Sequence, residues 1–599
     1  MSPTVTPKGA PRMTTAIPLR LWRSLRITAF IPLLSRLLTL AGVVVLVGLL
    51  PWLSGRDPAL SILRARSAEQ EATPEALAAI RAQLGLDLGP FEKLQSWLMG
   101  LLHGDAGNSW ISGAPVLPGM LKSAQVSLTL MTFGMLVAII TATLICLPVV
   151  RRGLRGQVSR SSGAIGAALT ALPEFLLASI LLVVFAAWLN WLPPYGWRGF
   201  SYAILPAFAL GLPAGGLLGR LFSDGLAATF SERWVATWNV AGFSSSRIII
   251  AALRRTLPSL MPQVGMVMVG LTGGAIAVEQ VFSIPGLGRA TLGAASAQDL
   301  PALQTGILIL LIIAIILGSL ANIGRVLLLG RAFQLGALPV AHSEQRIQRR
   351  AWIVPVIAML LLFVLIAAGI GRDPFSSAFM RLESPSLALP LGADGTGRDI
   401  LARVAHGALS TMGMATVVVF FSLVIGLLIG LAPKLATGPI EITKATPPTI
   451  AGLIVAGLIG PSASGAIIAV TAVAWAPLAA HTAALVAEVK AQPHVRITPM
   501  LGVGHFRLMS RYILPAVLGP VFRHAMLRLP GVALALAALG FLGLGPRPPS
   551  PEWGLILAEG MPYIERAPWA VLIPALALIL LSVLAVSLSS IVGLRKLPR

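Results

Sequence analysis

Apolar runs of about twenty residues recur along this chain, and they constrain its fold more tightly than any motif. Crossing a hydrocarbon core takes about 20 apolar residues in helical form. Candidate spans stand at 37–53, 124–150, 163–190, 202–222, 258–283 and 304–329, and again at 352–371, 410–433, 446–461, 463–487, 514–543 and 570–593. The run at 446–461 is short and rich in Gly and Pro. Lipid offers no water to open backbone groups, so such runs cross as helices. Only 11% of the residues are charged, against roughly a quarter in soluble domains. The expected fold class is an all-α integral membrane protein of about twelve transmembrane helices.

The formal net charge is +23. In a soluble protein that would suggest nucleic acid, but the basic residues here sit between apolar runs without interleaved aromatics, so no nucleic-acid partner is expected. Arg151, Arg152, Arg155 and Arg160 share one short loop without an acid. Arg325, Arg331, Arg346, Arg349 and Arg350 lie between the sixth and seventh spans, and Arg595, Lys596 and Arg599 end the chain. With about twelve spans all three clusters fall on one side, which the positive-inside rule makes cytoplasmic. Both termini are then cytoplasmic, and the segment from Ser54 to Lys122 is external. Arg20, Arg23 and Arg26 precede the first run with no small-residue cleavage site after it, which reads as an uncleaved first helix. The single cysteine, Cys146, allows no intramolecular disulfide and reads as a buried inert thiol.

The chain repeats itself. Gly55-Arg56-Asp57-Pro58 follows the first span of one half, and Gly371-Arg372-Asp373-Pro374 follows the first span of the other. Each half then carries a Gly in a basic segment followed by Leu-Pro: Gly242 with Leu257-Pro258, and Gly502 with Leu514-Pro515. Each next has an apolar span ending in a Gly-rich external turn, Phe282 to Gly288 and Phe541 to Gly545. Six spans per half is an even number, so both halves insert the same way, as a parallel repeat about the membrane normal. The expected division is a first half over 1–330 with a long external segment, a basic cytoplasmic linker over 331–351, and a second half over 352–599.

These residues resemble the permeases of the dipeptide/oligopeptide/nickel ABC importer family. In the first half the resemblance rests on LGLDLGPFEKLQSWLMGLLHGDAGNSW (84–110) and EQVFSIPGLGRATLGAASAQDLPALQTGILI (279–309). In the second half it rests on LPLGADGTGRDILARVAHGA (389–408) and LGFLGLGPRPPSPEWGLILAEGMPYI (539–564). It covers nearly the whole chain beyond about residue 30. The family normally consists of two separate subunits, so this chain departs from it as a head-to-tail fusion. The resemblance implies the type I ABC importer permease fold in a bacterial plasma membrane. Its implied partners are two cytoplasmic ATPase subunits, which hold ATP and Mg, and an extracytoplasmic substrate-binding protein. No cofactor is expected in this chain. The implied cargo is peptide, or alternatively nickel or a metallophore-type metal complex.

The segments between the fourth and fifth spans, Trp234 to Pro258 and His494 to Pro515, resemble the family's coupling motif, in which a short helix docks on an ATPase. Trp234, Val240, Gly242 and Phe243 are its candidates in the first half, and Gly502, Val503 and Phe506 in the second. Neither copy has the family's Glu-Ala-Ala start. Pro499 should begin or break a helix, because proline costs about 3 kcal/mol in a helix interior. Ionisable residues within spans mark pathways, and four are singled out. Glu279 stands near the outer end of the fifth span; a helix-end hydrogen bond is its plainer role. Arg523, His524 and Arg528 stand at the expected start of the eleventh span. They could snorkel to the interface or form a cationic lining for anionic cargo. Asp57, Asp105, Asp394 and Asp399 are external and could touch the binding protein, although Asx-turn chemistry also accounts for each.

No G-x-x-x-x-G-K-[ST], H-E-x-x-H or G-x-S-x-G occurs, and the seven His lack ligand spacing. The chain therefore reads as a permease, not an enzyme and not a metal protein. A secondary carrier would also have twelve spans in two parallel halves; the coupling-like segments and the lack of a buried carboxylate relay speak against it. An intramembrane hydrolase would need a nucleophile or metal motif.

Overall fold

The computed structural model describes residues 34–35, 37–53, 59, 62–63, 73–83, 89–157, 163–329, 352–444 and 446–593. Asp57, the first GRDP copy, the linker and the basic C-terminus lie outside them.

The described first half contains α1 (Leu37–Gly48), α2 (Leu50–Leu53), α3 (Pro74–Gln83), α4 (Pro90–Leu102), α5 (Val116–Leu154), α6 (Gly163–Thr170) and α7 (Glu174–Leu181). A π-helical turn, Leu182–Trp188, continues α7. Then come α8 (Phe200–Phe230), α9 (Arg233–Val240), α10 (Ser245–Val281), α11 (Leu287–Ser296) and α12 (Leu300–Leu329). The second half contains α13 (Ile353–Gly369), α14 (Ile400–Gly430), α15 (Pro433–Lys444), α16 (Pro448–Ile459), α17 (Ala463–Ala491) and α18 (Pro493–Ile497). It ends with α19 (His505–Phe541), α20 (Trp553–Gly560) and α21 (Trp569–Gly593).

Among the described residues, eight helices are long and apolar enough to cross a membrane, or nine with α15 and α16 counted as one bent span. Eight or nine of the expected twelve spans are therefore met by helices of full length among the described residues. Leu37–Gly48, Glu174–Trp188 and Ile353–Gly369 are apolar but shorter. The third span of each half is broken. Pro173 caps α7 and interrupts the expected run at 163–190. The axes of α15 and α16 meet at 95°, with Pro447 capping α16. Proline lacks the N–H a continuous helix needs and disfavours helical geometry in the residue before it.

Two elements begin well before their apolar runs. The helix α10 starts at Ser245 rather than near 258, and α19 at His505 rather than 514. Arg254 and Arg255 interrupt the start of α10, and His505, Arg507 and Arg511 stand in the first turns of α19, so hydropathy does not register them. Arg523, His524 and Arg528 consequently sit in the interior of α19 rather than in its first turns.

In each half the second and fourth spans pack at close range. On α8, Gly211, Gly215 and Gly219 lie against Val137, Ala138 and Ile145 of α5. In the second half Gly426 and Gly430 of α14 lie against Leu478 and Thr482 of α17. Small residues at spacing four let membrane helices approach backbone to backbone. One large apolar cluster runs through both halves. The seam between them is built around α16, which packs on α2, α10, α11 and α12 of the first half. A Cβ on Gly273 of α10 would stand 2.8 Å from Pro447 and 3.0 Å from Thr449 Oγ1. Phe175 of α7 meets Phe541 of α19, ring centroids 5.2 Å apart.

Candidate functional site

The two segments expected to couple match in sequence at one constant offset. Leu226 and Val486, Val235 and Val495, Gly242 and Gly502, Ile248 and Leu508, and Phe282 and Leu542 are each 260 residues apart. Leu226, Val235 and Ile248 root the first segment in a small apolar cluster with Val149 and Phe230. Val486, Val495 and Leu508 do the same in the second, with Ile513 and Val517. Gly242 and Gly502 both take left-handed backbone conformations, φ +74 and +79, which glycine adopts without strain. In the second copy α18 ends at Ile497, and Pro499 stands in a 3-10 turn, Thr498–Leu501.

Outward from these roots the tips are apolar and open. Val240 is 92% exposed, Met500 85% and Phe506 86%. Trp234 stacks edge-on with Trp238, and Trp238 lies flat on Phe243 at 4.7 Å. Glu232 steadies this aromatic ladder, accepting from Trp234 Nε1 at 2.9 Å and pairing with Arg255 at 2.7 Å. Rooted helices with open apolar tips can receive a push and transmit it to the spans they continue.

Glu279 is fully buried. Its carboxylate accepts from Ser127 Oγ and from the backbone N–H of Arg289 in the first turn of α11. Ser127 Oγ in turn accepts the N–H of Leu287 at 2.8 Å. The second half builds the same arrangement from a residue elsewhere in the sequence. Glu552, also fully buried, accepts from Gly554 and Leu555 in the first turn of α20, each at 2.9 Å. Thr411 Oγ1 donates to it at 3.3 Å and accepts the N–H of Trp553. Ser127 and Thr411 each stand eleven residues beyond the first residue of α5 and α14. The carboxylate comes from the span in one half and from the helix cap in the other. Glycine stands where the missing carboxylate's own chain would intrude: a Cβ on Gly286 would strike the Glu279 carboxylate, and one on Gly540 would strike Glu552.

Sequence reading missed Glu552, because its partner Thr411 is 141 residues away. Burial pushes the Glu552 carboxyl up to about 7, against the downward pull of the Gly554, Leu555 and Thr411 hydrogen bonds.

One end of the second half is capped by an ionic knot. Asp394 forms an Asx turn with Thr396 N–H at 2.8 Å and pairs with Arg398 at 2.8 Å and Arg403 at 2.6 Å. Arg403 is fully buried and reaches Glu559 at 2.7 Å. Burial alone would raise the Asp394 carboxyl, but the Arg398 and Thr396 hydrogen bonds and the Arg403 charge hold it below the ordinary value. Asp399 caps α14 through Leu401 N–H at 2.8 Å and pairs with Arg372 at 2.9 Å. Both carboxylates are buried in turn and cap chemistry, which leaves neither at the surface. Asp105 is exposed, caps Gly107 N–H at 2.8 Å, and lines a cavity of about 230 Å³ with Lys93, Trp97, Trp110 and Gln304.

His524 stacks on His481 of α17, ring centroids 4.5 Å apart and planes 27° apart. Arg528, one turn further, is half-buried, and Arg523 is exposed. Glu279 is far from this group in its contacts, so the four expected pathway residues do not form one site. Among the described residues no group of three His, Cys, Asp or Glu could hold a metal ion.

The chain matches the family model described as binding-protein-dependent transport system inner membrane component, twice, over residues 134–333 and 422–596. It is similar to the di/tripeptide transport system permease protein DppC of Pseudomonas aeruginosa, 38% identical over 216 residues, covering 35% of this chain and 71% of that one. It is also similar to the metal-staphylopine import system permease protein CntB of Staphylococcus aureus, 28% identical over 281 residues, 47% of this chain and 89% of that one. A putative peptide transport system permease protein of Brucella abortus is 30% identical over 294 residues, 47% of this chain and 90% of that one. With two family matches that together span more than half of its length, each containing one of the two repeated segments in register, this chain belongs to the inner membrane components of binding-protein-dependent transport systems and is an ABC importer permease of the peptide/nickel/metallophore group.

Proposed function

We propose that this one chain supplies both halves of the importer's translocation pathway, divided as 1–330 and 352–599 about a cytoplasmic linker. Twelve crossings follow if the three shorter apolar helices and the bent pair each traverse the bilayer. Both termini are then cytoplasmic. Two cytoplasmic ATPase subunits dock on the tips around Val240 and Phe243 and around Met500, Val503 and Phe506. ATP-driven closure pushes both tips, and α10 and α19 carry the displacement toward the seam. An external binding protein delivers cargo on the opposite face, near Asp105 and the surface over the ionic knot. Net import draws on differential binding energy supplied by ATP on the partner subunits, which this chain transmits.

The observation that carries this reading is the pair of coupling segments held 260 residues apart, each rooted in its own apolar cluster and each ending in an open apolar tip. A secondary carrier has no use for two such tips. Cargo of peptide or metal–chelate type accords with the relatives named for di/tripeptides and for metal-staphylopine. The test is uptake in proteoliposomes holding this chain with its ATPase and binding protein. Uptake of labelled peptide or metal chelate only with ATP and binding protein is the expected result. Uptake driven by an ion gradient without ATP would replace this reading with the secondary carrier.

A further inference from the structure

Arg528 lies in the middle of a membrane-crossing helix, half-buried, with no hydrogen bond or ion pair among the described residues. A guanidinium in that setting is expensive unless an anion answers it. One further cation, Lys444, and two imidazole rings stand around it. His524, one turn away on the same face, is stacked on His481, and Arg528 acts electrostatically on both His524 and Lys444. Glu441 is the one acid that acts on Lys444; it is exposed and lies on α15.

The group stands beside the seam. Lys444 ends α15 at the 95° break, three residues before Pro447, which is at most about 11 Å of chain. Pro447 and Thr449 press on Gly273 of the first half. Thr449 is buried there with its hydroxyl unpartnered.

The internal repeat separates a fold role from a ligand role. The residues 260 positions before His524 and Arg528 are Val264 and Met268. Both halves build the same helix, yet only the second places cations at these two positions. Packing does not require them.

Resting on the importer reading above, we infer that His481, His524, Arg528 and Lys444 form an anion site beside the inter-half seam that receives carboxylate groups of the cargo, which selects for acidic peptides or carboxylate-rich metal chelates. A guanidinium can pair bidentately with a carboxylate.

The test compares ATP-dependent uptake of Asp-Asp, nickel citrate and Ala-Ala, each preloaded on the binding protein, in proteoliposomes of wild type, Arg528→Ala, Arg528→Lys and Met268→Ala. Arg528→Ala should lower the ratio of anionic to neutral uptake by about tenfold or more, the loss of one charge-assisted contact. Arg528→Lys should recover much of that ratio, and Met268→Ala should keep it. An unchanged ratio in Arg528→Ala overturns the inference while ATP-dependent uptake leaves the importer reading intact. A second measurement does not depend on transport. Citrate should raise the thermal midpoint of the purified wild-type chain and not that of Arg528→Ala; no shift in wild type overturns the site. Repeating uptake in phosphatidylcholine with and without phosphatidylglycerol separates the sources of anion. A ratio that follows lipid charge and not cargo charge would assign the cluster to lipid headgroups and overturn the cargo assignment.

Discussion

Glu552 and Glu279 perform one task from two places in the sequence, and substitutions at them have directions that follow from the geometry. The folded Glu552 carboxyl, at about 7, holds its proton more tightly than an ordinary glutamate at 4.5. Its contribution to stability is therefore complete below 4.5 and lost as pH rises through about 7, some 3 kcal/mol in all. Thermal midpoints in detergent should fall for wild type between pH 5 and 8, and Glu552→Gln should flatten that slope. An identical slope in the variant would show that other groups cause it. The neighbouring glycine gives an independent check. Gly540→Ala forces a methyl onto the Glu552 carboxylate and should cost about 1–3 kcal/mol. In the double variant with Glu552→Ala the clash disappears, so the two losses should fall short of additive by about 1 kcal/mol or more. Strict additivity would remove the contact from the account.

Among the elements, the coupling segments carry the clearest prediction. A side chain at Gly502 must adopt a left-handed conformation, which costs about 1–2 kcal/mol, and would tilt the tip away from its root at Val495. Gly502→Ala and Phe506→Ala should each weaken ATPase docking about tenfold and lower the ATPase rate stimulated by the binding protein, while the solubilised chain keeps its thermal midpoint to within a few degrees. Unaltered stimulation in both variants would take the tips out of the coupling path. These segments could be read in the sequence because Gly242 and Gly502 are local signals set in basic, polar surroundings. The spans could be read for the same kind of reason, as hydrophobicity summed over twenty residues. The breaks at Pro173 and Pro447 could not be placed as bends, since a proline inside an apolar run can kink a helix or end it. The early starts of α10 and α19 were hidden because their first turns are polar. His481 was passed over as one of seven scattered histidines; only its approach to His524 across two helices gives it meaning.

At the scale of the whole molecule, the two halves are alike in frame and reversed in detail. The glycines that let the second and fourth spans touch sit on both α5 (Gly134 and Gly153) and α8 (Gly211, Gly215 and Gly219) in one half, and on α14 in the other. The buried carboxylate that ties the short outer helix to the bundle moves from the span to the cap, and its excluding glycine moves the opposite way. Each contact needs one small partner and one large one, or one carboxylate and one gap, and either assignment satisfies it. The frame is therefore held by pairwise complementarity, and most of each half's packing is internal. The seam has its own apolar surface, with α16 seated on α2, α10, α11 and α12 and Phe175 against Phe541. Contacts of this kind do not depend on a peptide bond between the halves. Co-expressed as two polypeptides, residues 1–340 and 341–599, the halves should copurify in mild detergent and keep ATP-dependent uptake within about threefold of the intact chain, since tethering contributes effective concentration rather than contacts. Enlarging the seam instead, by Gly273→Leu against Pro447 and Thr449, should separate the split halves on purification. Halves that fail to copurify even without that substitution would mean that the covalent join, and not the α16 seam, holds the pathway together.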